Sequence, residues 1–156
     1  SRPAKETASY TKGGWSGKKF DLIDWQEQII RDVFGILKSD GYRQFNTAYI
    51  EIPKKMGKSE LAAAIALLLT CGDGEERAEA YGCAADRQQA SIFYVAAAMV
   101  SLCPSLLKRI QIQKSIKRIV YKPTGSFYQV LSTEAYSKHC FNIHGVVFDE
   151  LHIQPK

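Results

Sequence analysis

The chain has 156 residues, of which 46% are hydrophobic and 24% charged, and its formal net charge is +5. These proportions exclude a chain too polar to fold and suffice for one globular domain with its own core. The most apolar run, residues 61–69, is far shorter than the roughly 20 residues of a membrane span. The polar first 19 residues carry no secretory signal. We therefore expect a soluble intracellular protein without a membrane segment.

In chain order, residues 1–19 are predicted to form a flexible basic arm. Apolar residues at helical spacing then predict a helix over residues 22–37, with Asp24 as its N-cap. The run 47–52 is predicted as the first core strand. Residues 58–71 are apolar nearly all round, which predicts a buried helix, and the break at 72–74 ends it.

A second strand is predicted over 78–84, followed by a helix over 86–103 that begins at a cap-like Asp86. Residues 110–113 and 119–131 alternate apolar and polar side chains, and the turn 122–125 divides the second run into an antiparallel hairpin. Residues 146–150 are predicted to form a strand of the buried, continuous-apolar type expected in a parallel sheet. We expect an α/β fold: a mainly parallel sheet flanked by helices, with the hairpin inserted.

The most informative motif is Gly57-Lys58-Ser59, between the predicted strand 47–52 and the helix that follows. Glycine permits a tight turn, and the amides at the start of a helix point towards a bound anion. In a phosphate-binding loop Lys58 would reach the β- and γ-phosphates and the Ser59 hydroxyl would ligate Mg²⁺. The alternative is an ordinary helix start that Ser59 caps.

A second motif is Asp149-Glu150, which ends the last apolar strand. A solvated turn is the simpler interpretation of such a pair in isolation. A lysine–serine loop followed by a strand that delivers two carboxylates is, however, the arrangement of an ATPase that hydrolyses its nucleotide. Both motifs occur here in the required order, which favours that function.

Residues 87–133 contain seven basic side chains and no acidic ones. Such a block is either a solvated basic face or a contact for a nucleic-acid backbone, which binds Lys and Arg without nearby carboxylates. We consider Lys114, Lys117 and Arg118 its candidate DNA contacts.

The four cysteines, at positions 71, 83, 103 and 140, form no Cys-x-x-Cys pair and are expected to be reduced, buried thiols. A zinc site from residues 139, 140, 144 and 152 fits no ordinary ligand spacing, and we reject it.

With these motifs the chain resembles the N-terminal ATPase domain of the large terminase subunit of tailed bacteriophages, a P-loop NTPase of the RecA-like (ASCE) class. Four segments resemble that family's motifs in order, and the resemblance spans roughly residues 13–156. They are the adenine-recognition segment 20–26, the deviant phosphate loop 53–59, the lead-in 142–145 and the carboxylate strand ending 149–155.

The resemblance implies a Mg²⁺-dependent ATP hydrolase that drives packaging of double-stranded viral DNA into the procapsid. Its implied partners are duplex DNA, the portal protein, the small terminase subunit and further copies of itself in a ring, within the cytoplasm of the infected bacterial host. The implied catalytic residues are Glu150, which activates water, and Lys54, which acts at the γ-phosphate, although the adjacent Lys55 could take that role. ATP would be bound by Gln26 at the adenine and, around the phosphates, by Lys55, Met56, Gly57, Lys58, Ser59 and Glu60. Ser59 and Asp149 would hold the metal.

The sequence departs from the family pattern in two ways. Ile52 replaces the first glycine of the loop, and Pro53 removes one amide, so the phosphates depend on the amides of residues 55–59. The chain also ends six residues after Glu150. We therefore expect residues 20–156 to be a C-terminally truncated ATPase domain without the nuclease domain of the family.

Two rival functions remain open. A superfamily-2 helicase pairs an upstream Gln with a phosphate loop and an Asp-Glu strand, although its loop is normally small and Gly-rich. A non-hydrolysing module that binds ATP and docks on a capsid or portal belongs to a different class. ATP hydrolysis with duplex or single-stranded DNA would separate the three.

Overall fold

A computed structural model describes residues 24–53, 56–84, 90–132, 134–135 and 143–148. The predicted arm 1–19 lies outside these ranges and stays a prediction, as does the cap at Asp86. The side chain of Asp24 is likewise outside the description, so its predicted role as an N-cap stays untested.

The described part of the chain contains four α-helices, two π-helical turns and two further helical residues, 134–135. The helices are α1 (Asp24–Ile30), α2 (Lys58–Leu67), α3 (Ser91–Ser101) and α4 (Pro104–Leu107). The π-helical turns, Arg31–Gly35 and Leu68–Gly72, continue α1 and α2 without a break. The helices predicted over 22–37 and 58–71 are therefore confirmed, and α3 confirms the core of the one predicted over 86–103.

Five strands form one sheet in the described residues, in the order β2-β3-β4-β1-β5. They are β1 (Glu79–Ala84), β2 (Ile110–Gln113), β3 (Arg118–Tyr121), β4 (Ser126–Ser132) and β5 (Ile143–Phe148). The hairpin predicted around the turn 122–125 is confirmed as β3 and β4, which pair antiparallel.

The sheet is mixed rather than mainly parallel. β1 pairs in parallel with β4 on one side and with β5 on the other, whereas β2–β3 and β3–β4 are antiparallel. The reason is that the hairpin is not inserted beside the sheet. Its second strand, β4, is also the parallel neighbour of β1, so the hairpin extends the sheet directly.

The strand predicted over residues 47–52 is wrong for this structure. The side chains alternate in the way a strand requires, with Ile50 and Ile52 half-buried, but Tyr49 is 75% exposed. None of the described strands pairs with this segment, so it is not a strand here. The last strand, β5, starts three residues earlier than predicted and is only half-buried, because it lies at the edge of the described sheet.

The core lies between the sheet and the helices α2 and α3, which pack against each other. Phe93, Met99 and Val100 of α3 are fully buried against Ile119 of β3 and Tyr128 of β4. The predicted burial of the cysteines is confirmed for residues 83 and 103, and Cys71 is partly buried. Burial raises the pKa of the Cys71 thiol to about 12, so this thiol stays protonated at neutral pH.

Gly82 is required where Tyr128 crosses β1. A Cβ atom at position 82 would lie 2.1 Å from the Tyr128 hydroxyl and 2.9 Å from Cζ, and Tyr128 is fully buried. The ring cannot move away without disturbing the packed core. The absence of a side chain at residue 82 is therefore a condition for the packing of β1 on β4.

We expect Gly82→Ala to destabilise the fold by about 1–3 kcal/mol, because the added methyl overpacks a rigid core. Denaturant unfolding measures the change. The matched control is Gly35→Ala, since nothing lies within 4 Å of a Cβ there, and it should leave stability within about 0.5 kcal/mol. Equal stability of the two variants would contradict the packing described for Tyr128.

Candidate nucleotide-binding site

At the end of the predicted phosphate loop, just before α2, one residue has a left-handed backbone conformation. Gly57 has φ 78° and ψ 24° and is the N-cap of α2, whose first residue is Lys58. This backbone conformation strains residues with a side chain and is open to glycine. The sequence-based expectation that Gly57 makes a tight turn into the helix is confirmed.

The start of α2 presents amide groups that the helix itself does not use. The Leu61 amide donates to the Gly57 carbonyl at 3.0 Å, the first hydrogen bond of the helix. The amides of Ser59 and Glu60 precede this bond in the chain and are not part of the hydrogen-bond ladder of the helix. Together with the helix dipole they favour an anion at this end. Such an arrangement suits a phosphate group.

Gln26 lies directly against this turn. The residue is 2% exposed, and its Nε2 atom is 3.0 Å from where a Cβ on Gly57 would lie. The helix α1, which carries Gln26, thus packs its amide onto the loop although 31 positions separate the two residues. Both residues belong to the nucleotide site predicted from the sequence, and the structure brings them together.

Two contacts fix the direction of α2 relative to β5. Beyond the end of the helix, the Asp73 carboxylate is 2.7 Å from His144 Nε2, near the start of β5. One helical turn earlier, the Leu69 side chain covers Gly145, whose Cβ would lie 2.6 Å from Leu69 Cδ1. The helix and the strand therefore run in opposite directions, since the earlier residue of the helix contacts the later residue of the strand. The N-terminus of α2 accordingly points towards the end of β5, where residue 149 follows Phe148.

The contact at Asp73 is a three-residue cluster. A carboxylate only accepts hydrogen bonds, so His144 Nε2 carries the proton and donates to Asp73. Arg43 Nη2 binds the same carboxylate oxygen at 3.0 Å, and its guanidinium lies 5.0 Å from the centre of the Phe34 ring. The cluster joins the segment after α1, the end of α2 and the start of β5. No sequence motif predicts it, since residues 43, 73 and 144 are far apart in the chain.

The predicted site residues divide into two groups. Met56 is half-exposed, Lys58 and Ser59 are partly buried, and Glu60 is 9% exposed in the first turn of α2. With Gly57 and Gln26, these are the residues that the structure brings together. Lys54, Lys55, Asp149 and Glu150 lie outside the described residues, so their predicted roles stay predictions.

The basic turn, residues 114–117 between β2 and β3, lies at the edge of the sheet that is formed by the carboxyl ends of β4, β1 and β5. This is also the edge towards which the N-terminus of α2 points. The strand register aligns Arg118 with Gln129, Gln129 with Tyr81, and Tyr81 with Val146. This row crosses three strand spacings, or about 14 Å. The start of β3 and the last residues of β5 therefore lie at the same end of the sheet. The other described basic residues of the acid-free stretch, Lys108, Arg109 and Lys122, lie at the opposite edge.

The three candidate DNA contacts differ in their surroundings. Lys114 is exposed, and Lys117 is partly buried with its amine 5.9 Å from the Tyr94 ring centre. Arg118 donates from Nε and Nη2 to Gln129 Oε1, at 3.1 and 2.7 Å, and stacks 4.5 Å from the Phe127 ring centre. Much of the hydrogen-bonding capacity of Arg118 is therefore used within the sheet.

The described part of the chain contains no group of three or more His, Cys, Asp or Glu that could hold a metal ion. Nor does any helix within those ranges have the length and hydropathy needed to cross a membrane.

We expect Gly57→Ala to destabilise the fold by about 1–2 kcal/mol, because alanine is strained at positive φ, and to displace the Gln26 amide. The same substitution in a Gln26→Ala background should cost less, since the steric part of the effect is gone. A double-mutant cycle from denaturant unfolding measures this coupling. Strictly additive effects would contradict the contact between Gln26 and Gly57.

Comparison with known proteins agrees with this geometry. The sequence model described as "Terminase large subunit, ATPase domain" matches residues 24–156. The chain is 28% identical over 141 residues to the large terminase subunit of Enterobacteria phage HK97, covering 89% of this chain and 27% of that protein. The crystal structure of the HK97 large terminase superposes with a TM-score of 0.77 at 26% identity, covering 94% of this chain and 29% of that one. The chain thus spans less than a third of these relatives and belongs to the family of terminase large subunit ATPase domains.

Proposed function

We propose that this chain hydrolyses ATP to drive the packaging of double-stranded viral DNA into a procapsid. The observation that carries the proposal is the N-terminus of α2. It presents a left-handed Gly57, the amides of Ser59 and Glu60, and the Lys58 side chain, and it points towards the end of β5. The family membership and the likeness to the HK97 large terminase support the same function.

In this proposal the phosphates of ATP bind at the start of α2. The amides of Lys58, Ser59 and Glu60 donate to phosphate oxygens, and Lys58 supplies a flexible positive charge at the β- and γ-phosphates. Met56 and Lys55 complete the loop through their backbone. Because Pro53 has no amide N–H, the phosphates would bind to the amides of residues 55–59 and also to that of Glu60.

Gln26 binds the adenine. Its amide group can donate and accept a hydrogen bond at once, as the adenine edge requires. Its burial against Gly57 supports the proposal, because a base held by Gln26 would lie within reach of phosphates held at α2.

Hydrolysis requires a base for the attacking water, and Glu150 is the proposed residue. Asp149 and Glu150 follow Phe148, the last residue of β5, in the chain. Lys54 or Lys55 stabilises the charge that develops on the γ-phosphate, as a point charge rather than as the two-pronged donor that an Arg would provide.

Mg²⁺ is the metal that this donor set suits, since hard divalent cations prefer oxygen ligands and nucleotide phosphates. Ser59, partly buried in the first turn of α2, and Asp149, after β5, would hold it. When bound, the ion would offset the negative charge of the β- and γ-phosphates.

The proposed partners follow from the family. The chain would act as part of a homo-oligomeric ring around duplex DNA, with the portal protein and the small terminase subunit, in the cytoplasm of the infected bacterium. Lys114, Lys117 and Arg118 would lie near DNA phosphates, and the position of their turn at the edge that holds the nucleotide supports this assignment. ATP turnover and DNA contact would then share one edge of the sheet.

We expect Glu150→Gln to bind Mg·ATP normally and to lose turnover roughly 10²–10⁴-fold, because the amide cannot accept the proton of the attacking water. Steady-state phosphate release and calorimetry measure the two quantities. Glu76→Gln, an exposed carboxyl at the opposite edge, is the control and should retain full activity. Turnover of Glu150→Gln within about threefold of the parent would show that another group is the base.

The same assay separates the rival functions. A packaging motor responds to duplex DNA, a helicase responds to single strands, and a docking module that does not hydrolyse ATP responds to neither.

Reversal of charge in the basic turn should weaken duplex binding. We expect Lys114→Glu with Lys117→Glu to lower duplex affinity and to reduce the salt slope by about 0.9 for each phosphate that is no longer neutralised, while ATP affinity is unchanged. The control, Lys108→Glu with Lys122→Glu, makes the same charge change at the opposite edge. Filter binding across a salt series with the complete protein measures both variants. An equal decrease in affinity in the two variants would show that only net charge matters.

A further inference from the structure

Two consecutive hairpins of the sheet have the same kind of turn, both begin with a lysine, and they differ in the residue at the last, left-handed position. In the second turn, the Gly125 amide donates to the Lys122 carbonyl at 3.3 Å, and Gly125 has φ 69°. In the first turn, the Lys117 amide donates to the Lys114 carbonyl at the same distance, and Lys117 has φ 52°. A lysine therefore occupies the left-handed position that glycine occupies in the neighbouring hairpin.

Local stability does not explain this lysine. A left-handed backbone is costly for any residue with a Cβ, and glycine removes that cost. Strained positions of this kind are often associated with function. The Gly125 turn lies at the far edge of the sheet, whereas Lys117 lies at the edge that holds the proposed nucleotide site. The strained backbone thus occurs in the hairpin whose turn lies at the edge of the proposed nucleotide site.

The left-handed turn brings the Lys117 amine to the Tyr94 ring of α3. The ring itself is held in place, because it packs edge-on against fully buried Phe93 with the ring centres 5.3 Å apart. Tyr94 is nevertheless 51% exposed. A fixed, exposed phenol beside an ammonium group combines a hydrogen-bond donor with a positive charge.

Phosphodiester groups are bound by this combination, since Lys neutralises the charge and Tyr donates to a phosphate oxygen. The surroundings agree: the described part of the stretch 87–133 has no carboxylate to compete for the amine. We propose that Tyr94 and Lys117 together bind a phosphate of duplex DNA, with the Tyr94 ring positioning the Lys117 amine. This proposal rests on the packaging function proposed above and adds Tyr94 to the DNA-contacting residues.

The first test is Lys117→Gly, which copies the neighbouring hairpin. Its thermal unfolding midpoint should not fall, because the backbone strain is removed. Its duplex affinity should fall, with a salt slope smaller by about 0.9, as expected when one fewer phosphate is neutralised. A correctly folded variant that binds DNA less well cannot be explained by misfolding. Unchanged affinity and slope would overturn the proposal.

The second test separates the ring from the hydroxyl of Tyr94. Tyr94→Phe keeps the ring beside Lys117, so duplex affinity should fall about tenfold, as for removal of a hydrogen bond to a charged group, with the salt slope unchanged. Tyr94→Leu removes the ring as well and should lower both affinity and slope. Full affinity of Tyr94→Phe, or a decrease confined to single-stranded DNA, would overturn the assignment. Lys122→Gln, at the opposite edge, is the control for charge.

These results are distinguishable from failure of the proposed function. If reversal of Lys114 and Lys117 weakens duplex binding and the Tyr94 variants do not, the basic turn contacts DNA and the inference about Tyr94 is wrong. If none of the variants affects duplex binding while ATP turnover still responds to duplex DNA, the inference about Tyr94 is again wrong, but the motor function stands and its DNA surface lies elsewhere.

Discussion

The contact between the π-helical turn that continues α2 and the start of β5 is the constraint on which the site depends. A helix placed on a sheet can run in either direction, and only one direction puts its N-terminus beside the end of the strand. Here Leu69 covers Gly145 and Asp73 binds His144, so the end of the helix is held at the start of the strand. Gly145 permits this contact, because a side chain at that position would collide with Leu69. The positive end of the helix dipole is thereby directed to the edge at which β5 ends.

Two further features complete that edge. Left-handed Gly57 starts α2 and leaves room for the buried Gln26 amide, so base recognition and phosphate binding are coupled through one contact in the proposed mechanism. On the other side, the strand register places the turn 114–117 at the same edge, about three strand spacings from β5. A movement of this edge of the sheet on ATP turnover would therefore also displace the proposed DNA contacts.

Much of the fold could be predicted from local sequence. The helix after Gly57 and the hairpin around 122–125 follow from side-chain periodicity and turn residues, which act over a few positions. The failures have long-range causes. The run 47–52 has the alternation of a strand, but a strand also needs a partner, and pairing does not depend on the segment alone. The sheet is mixed because β4 is shared by the hairpin and by β1, which periodicity does not reveal.

The candidate site shows the same division. Gly57, Lys58, Ser59 and Gln26 were each predicted from a short motif; the structure places Gln26 against Gly57, and the binding roles of all four stay predictions. The cluster of Arg43, Asp73 and His144 and the contact of Tyr94 with Lys117 were not, since each depends on the fold to bring distant residues together. His144 was considered for a metal, and the structure instead assigns it to the contact that orients α2.

The central claim is that the start of α2 binds the phosphates of ATP, and calorimetric titration of Lys58→Ala with ATP tests it most directly. Lys38→Ala, which removes an exposed lysine elsewhere, is the matched control. We expect Lys58→Ala to abolish measurable ATP binding while the control binds as the parent does. ATP affinity in Lys58→Ala equal to that of the control would contradict the assignment of this loop to nucleotide binding.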